Sequence, residues 1–375
     1  MIRDRTTRRI ARRVCSVVRR PAGLFAVAVA VLTLILSGCT AISDPSGDQP
    51  APVGKDDIQL VMVIRSYSTP YESELAKGAQ AYADHVGLPL KIITTDGDSQ
   101  KQLSLVKAAL ASNKKTVMSI NVNQSSDTPA IVNAVTQAGG YITTLWNKHE
   151  DVKVWDFAPN WVAHVSFDGR VDGYQTANEM MDKLGAGGVV VLQGILDNLP
   201  ASQRYEGFKK ALAEHPDITM LDQQVALWDR TKGYQVAQTL LTKYGDKIKG
   251  IWTADDAMTL GALTAVAEAG RNDIVVSSSS NGVHEAFEAI DAGTLYNTYA
   301  SDQSYTGALG LALGFQAATG QLDVNSLTPQ QRQWYAEGVV VDKNNVGSFL
   351  TPPDLPALMN ELETDPHKRM AEPIV

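Results

Sequence analysis

IQLVMVIRSYSTPYESELAKGAQAYADHVGLPLKIIT, residues 58–94, decides the fold. Residues 59–64 form a short run, rich in branched apolar side chains, with strand length. A polar stretch from Arg65 to Glu72 follows. Leu75, Ala79, Tyr82 and Val86 then recur every three to four residues, the period of an amphipathic helix. Residues 88–94 return to the strand pattern.

The same alternation runs on through the chain. Strand-like runs fall at 116–120, 141–145, 164–167, 189–192, 218–225, 248–252 and 274–277, with helical periodicity between them, as at Tyr234, Ala237, Leu241 and Tyr244. Continuous apolar strands separated by amphipathic helices predict parallel sheets covered on both faces. So many units predict an α/β fold of two doubly wound parallel-sheet lobes joined by a three-segment hinge. The expected first lobe is 58–147, completed by 300–333, and the second is 164–298, completed by 338–346. The chain is expected to cross between lobes within 145–164, 298–301 and 333–340. Residues 348–375 hold Pro352, Pro353, Pro356, Pro366 and Pro373 and read as a peripheral tail with one short helix near 355–363.

Before this body the chain has a different character. Residues 1–22 carry eight Arg against Asp4, and residues 23–36 are apolar except for Thr33. That run falls short of the roughly 20 residues that span a bilayer and reads as the core of an export signal. Leu36-Ser37-Gly38-Cys39 resembles a bacterial lipobox, which implies removal of residues 1–38 and a diacylglycerol on Cys39. An ordinary signal peptide with an incidental cysteine is the alternative. Arg19-Arg20 hints at twin-arginine export. Residues 39–57, rich in Pro, Gly, Ser and Asp, read as a flexible tether. The expected location is the outer face of the cell membrane.

Loss of the leader turns the chain's net charge of −8 into −15 for the remaining 337 residues. An acidic chain does not suit nucleic acid, where Lys and Arg neutralise phosphates. Cys15 leaves with the leader, so no internal disulfide is available. There is no G-x-S-x-G elbow, no G-x-x-x-x-G-K-[ST] loop and no H-E-x-x-H. Gly185, Gly187 and Gly188 precede a strand instead of following one, which favours a helix-ending turn over a phosphate cradle. The six histidines show no metal-ligand spacing. No cofactor or metal is expected.

In open α/β sheets ligands bind beyond the carboxyl ends of the strands. Polar and aromatic residues gather there: T-P-Y-E at 69–72, R-Y-E-G-F at 204–208, W-D-R-T-K-G at 228–233 and D-D-A-M-T-L-G-A-L at 255–263. With these motifs in this order, residues 58–346 resemble the type I periplasmic-binding-protein-like family, in its ribose-binding branch of sugar ABC-transporter receptors. The resemblance implies ligand contacts from Thr69, Tyr71, Glu72, Gln124, Trp146, Asn147, Arg204, Trp228, Asp255, Asn281 and Ser301. Glu72 stands where the branch often has a second aromatic, Trp146-Asn147 where it often has Asp-Arg, and Gln124 where an Asp is frequent. Asn281 stands where an Asp is common and Ser301 where a Gln is common. Read without the resemblance, Trp228 is equally a core aromatic, Arg204 a helix-capping group or a partner of Glu206, and Asp255 a helix N-cap. Residues 155–161, Trp155 to Trp161, are extra to the simpler pattern and serve either as packing at the hinge rim or as an added cleft wall.

The resulting expectation is a monomeric, lipid-anchored solute receptor without a chemical step. It would capture a small sugar or polyol and deliver it to a membrane ABC permease; the extra 155–161 segment together with the polar substitutions inclines toward a polyol or a pentose-sized sugar. The alternative is a sensory receptor presenting a sugar or autoinducer to a membrane signalling protein. A repressor of this fold would need a helix-turn-helix where the leader and tether stand. A hydrolase would rest only on Asp255-Asp256, and neighbours at a helix start point apart.

Overall fold

The computed structural model describes residues 49–157 and 159–374. The expected leader and the lipidation site at Cys39 lie outside the described residues. The body opens with β1 (Ile58–Ile64), α1 (Pro70–Val86), β2 (Leu90–Thr94), α2 (Ser99–Leu110), β3 (Lys115–Asn121), α3 (Thr128–Gln137), β4 (Tyr141–Leu145) and β5 (Trp161–Ser166). It continues through α4 (Gly169–Leu184), β6 (Gly187–Gln193), α5 (Leu199–Glu214), β7 (Ile218–Val225), α6 (Arg230–Tyr244), β8 (Ile248–Thr253), α7 (Asp256–Glu268), β9 (Val275–Ser278), α8 (His284–Asp291) and β10 (Asn297–Ala300). Last come α9 (Gln303–Thr319), α10 (Pro329–Arg332), β11 (Gln333–Ala336), β12 (Val339–Asp342), α11 (Leu355–Thr364) and β13 (Met370–Pro373).

Two sheets result, in the orders β13-β11-β5-β4-β3-β1-β2 and β12-β10-β9-β8-β6-β7. All pairings are parallel except those of β12 with β10 and of β13 with β11. The central strands are buried on both faces, which is why they read as unbroken Val and Ile instead of an alternating pattern. Helix α9 is buried over nearly its whole circumference, and its apolar, small-residue sequence suits a helix enclosed by α1, β3 and β4. Helices begin at the carboxyl ends of strands, on capping residues such as Thr69, Asp168, Asp229, Asp255 and Asp302, each accepting a backbone N–H of the first turn. Those caps are what bring polar side chains to the strand ends.

Several expected boundaries move. β5 pairs with β4, so residues 161–166 belong to the first lobe and the first crossing is at Phe167 and Asp168, not within 145–164. The reason lies in the 155–161 segment, which loops back to let β5 extend the first sheet. Val154 and Trp161 are buried there with Val61, Ile93 and Ile142, so the segment packs under the sheet and does not wall the cleft. The other crossings are at Ser301 and Asp302 and at Glu337 and Gly338. The tail is not simply peripheral. α11 packs on α1 and α9, and β13 becomes an edge strand of the first sheet, so the chain makes a fourth passage between lobes after β12. The tether is also partly docked: Gln49 bonds to the Ala317 and Leu322 carbonyls and to Val324 N–H, and Val53 N–H bonds to Ala318. No helix among the described residues is long and apolar enough to cross a membrane.

Candidate ligand-binding site

The strand ends of the two lobes face one another across a cavity of about 70 Å³, measured as the space open to water centres. One water needs roughly 10–15 Å³ on this measure, so the space exceeds that of a single trapped water. Thr69, Tyr71, Glu72, Trp146, Asn147, Arg204, Trp228, Asp255 and Asn281 line it. So do Arg65, Asn121, Asn198 and Pro200, which the sequence did not single out.

The first lobe supplies an aromatic pair and a carboxylate. Trp146 and Tyr71 meet edge to face with ring centroids 5.8 Å apart, and the indole N–H donates to the Tyr71 hydroxyl. Glu72 is buried, and its Oε1 accepts from Asn121 Nδ2 at 2.9 Å while Oε2 has no partner among the described residues. Burial pushes its pKa up to about 7, against the opposing pull of Arg65 and of the Asn121 hydrogen bond. Arg65 in turn donates to the Asn123 carbonyl at 2.8 Å. Asn147 is fixed by donating to the Val122 carbonyl at 2.6 Å.

The second lobe supplies Arg204, Trp228 and Asp255. The Arg204 guanidinium lies 5.0 Å from the Trp146 ring centroid and 5.6 Å from that of Trp228, so it sits near one aromatic from each lobe. Its Nη1 donates to the Ala254 carbonyl, and Nε lies 3.6 Å from Asp172. The Glu206 partner considered for it pairs instead with Arg170. Gly173 makes this placement possible, because a Cβ there would stand 2.0 Å from the Arg204 carbonyl oxygen where α4 crosses α5. Burial raises Asp172 to about 7 although Arg204 opposes the rise. Asp255 serves both of its readings: it caps α7 by accepting from Met258 N–H at 3.0 Å, and it lines the cavity, with burial raising it to about 7. Trp228 rests on Gly194, where any Cβ would fall 2.0 Å from the ring.

Backbone strain gathers at the same place. Trp146 (φ 62°), Trp228 (φ 62°) and Asn281 (φ 112°) are non-glycine residues with positive φ. Such conformations cost about 1–3 kcal/mol each and persist where surrounding contacts enforce them. For Asn281 the enforcing contacts are visible: its N–H donates to Tyr299, and its carbonyl accepts from both the N–H and the hydroxyl of Ser301 at 3.1 Å. That corrects the expectation for Ser301. It is fully buried behind Asn281 and spends its polar groups there, so it does not reach the cavity. Gln124 is corrected as well. It begins the short turn Ser125–Asp127 beyond the strand, and Asn121, still inside β3, is the residue that faces the space. Of the missed residues, Arg65 and Asn121 stand at strand ends; Asn198 and Pro200 open α5, where nothing in the residue types marks them.

The periplasmic binding protein domain family matches residues 60–322. The ribose import binding protein RbsB of Salmonella typhimurium is 31% identical over 270 residues, covering 72% of this chain and 87% of that protein. The D-allose-binding periplasmic protein of Escherichia coli is 29% identical over 259 residues, covering 68% of this chain and 83% of its own length. The crystal structure of a twin-arginine translocation pathway signal protein from Burkholderia phytofirmans aligns with a TM-score of 0.80 at 36% identity, covering 84% of this chain and 98% of that one. The family match begins within β1, runs through both sheets and ends beyond α9, and the chain accordingly belongs to the periplasmic binding protein domain family.

Proposed function

We propose that this protein is the solute receptor of an ABC importer, closing its lobes on a small sugar or polyol and passing it to a membrane permease. The observation that carries the reading is the composition of the cavity wall. Arg65, Arg204 and the Asn side chains offer donors, Glu72, Asp255 and Tyr71 offer acceptors, and Trp146 and Trp228 offer aromatic faces. A polyhydroxylated molecule matches this set, because each hydroxyl both donates and accepts while the C–H faces pack on aromatic rings. The buried, unpartnered Oε2 of Glu72 is an acceptor that a ligand hydroxyl would satisfy. A molecule lacking that hydroxyl would leave the carboxylate unpaired, which is how such a site rejects near relatives. The ribose and allose receptors among its relatives support the same substrate class.

Each lobe contributes part of the wall, so the ligand favours the closed state by its differential affinity for that state. No covalent step is needed. We further propose that the protein works as a monomer held by a diacylglycerol on Cys39, with the residues before Gln49 as a leash; a two-chain anchor holds durably where a single chain does not. A thermal-shift screen against pentoses, hexoses, polyols and inositols tests the proposal, since a ligand of the folded state raises the melting point by mass action. A rise with one such compound, confirmed by calorimetry, is expected. No rise with any of them refutes the substrate class.

A further inference from the structure

Asn198 stands at the N-terminal boundary of α5, yet its side chain makes no cap hydrogen bond. Both ends of its carboxamide are committed elsewhere. Oδ1 accepts from the Trp228 indole N–H at 2.7 Å, and Nδ2 donates at 2.9 Å to the Asn123 carbonyl in the opposite lobe. The residue is 3% exposed. Its orientation is fixed by these partners, because the flipped amide would set N–H against N–H and oxygen against oxygen. The Asn123 carbonyl also receives Arg65. A continuous series of hydrogen bonds therefore runs from an aromatic of the second lobe, through Asn198, to a cavity arginine of the first. Beside it, Ser125 N–H donates to the Asp197 carbonyl at 2.8 Å and Leu199 N–H to the Ser125 hydroxyl at 2.9 Å.

We propose that Asn198 is a positioning residue that couples the placement of the Trp228 ring to closure of the lobes, favouring the arrangement that binds ligand. Preorganisation of this kind raises affinity by removing ordering that the ligand would otherwise have to drive. The effect on affinity rests on the ligand-binding reading above; the effect on closure does not. One such hydrogen bond shifts the closed-to-open ratio by about two- to twelvefold.

The test uses protein from residue 40 onward, which retains every strand and helix described here, with no sugar present. Small-angle scattering reports lobe closure. Emission, taken as the difference between each protein and its Trp228→Phe counterpart, reports the Trp228 ring. Asn198→Ala removes both hydrogen bonds, so the radius of gyration rises and the Trp228 emission shifts. Asn198→Asp keeps an acceptor for the indole but sets oxygen against the Asn123 carbonyl; it opens the lobes with a smaller emission shift. Trp228→Phe, which keeps an aromatic face but loses the pyrrole ring with its N–H donor, frees the carboxamide and opens them part way. Circular dichroism checks that each variant is folded. Scattering unchanged in all three variants, or opening by Asn198→Ala alone, overturns the coupling. Failure of the sugar screen would remove the substrate class and leave this result standing.

Discussion

Replacing Glu72 by Gln isolates one buried carboxylate in the pH dependence of stability. The folded-state pKa of Glu72 is raised from 4.5 to about 7 by burial. A group whose folded value lies above its unfolded value contributes stability that is fully present below the unfolded value and lost as pH rises through the folded one. Between about pH 6 and pH 8 the unfolded carboxylate is ionised throughout, while the folded one goes from mostly protonated to mostly ionised. The wild type should lose about 1.4 kcal/mol over that interval through this residue alone, the equivalent of one pKa unit. Gln keeps an oxygen for Asn121 and does not titrate, so Glu72→Gln should lose about 1.4 kcal/mol less. Asp172 and Asp255 titrate in the same window in both proteins and cancel in the difference. Urea unfolding followed by far-UV circular dichroism at the two pH values gives the four free energies. Equal losses in wild type and variant would refute the assignment of a raised pKa to Glu72, and with it the picture of a desolvated carboxylate facing the cavity.

Arg204→Ala should weaken ligand binding by tenfold or more in calorimetry and also destabilise the protein modestly, because Asp172, already raised to about 7, loses its countercharge and is neutralised by taking up a proton. Trp228→Ala should weaken binding while unfolding stays cooperative; unchanged affinity in both variants would sink the site assignment. Gln124→Ala, outside the cavity, should leave affinity within about twofold, a change too small to reflect a lost polar contact. Gly173→Ala should force α4 from α5, costing about 1–3 kcal/mol of stability and displacing Arg204, so its affinity falls more than that of an exposed Gly→Ala control.

The lobes and most strands were legible because parallel strands buried on both faces leave unbroken apolar runs, and the helices between them keep a clear period. The lobe of β5 is illegible for a physical reason: a strand's residues do not say which sheet receives it, and the loop of 155–161 hides the return. β13, whose sequence Met-Ala-Glu-Pro has no strand signature, forms because β11 presents an edge. At the site, motif position located Trp228 and Asp255 just beyond strand ends and Arg204 inside α5. It failed for Ser301, where hydroxyl and N–H turn to a strained neighbour, and for Asn198, whose importance comes from two partners about 30 and 75 residues away. Pairing at such distances leaves no local trace.

The fastening of the first lobe at both of its ends has a mechanical consequence. Gln49 and Val53 grip the end of α9, while α11 and β13 close over the same lobe. Traction arriving through the residues before Gln49 is thus delivered to one lobe and dissipated there. The other lobe would close as an unloaded arm, so a surface coupled at that end would not resist its motion. Immobilisation through the amino-terminal side is accordingly the orientation in which a biosensor built on this protein would register closure without mechanical bias.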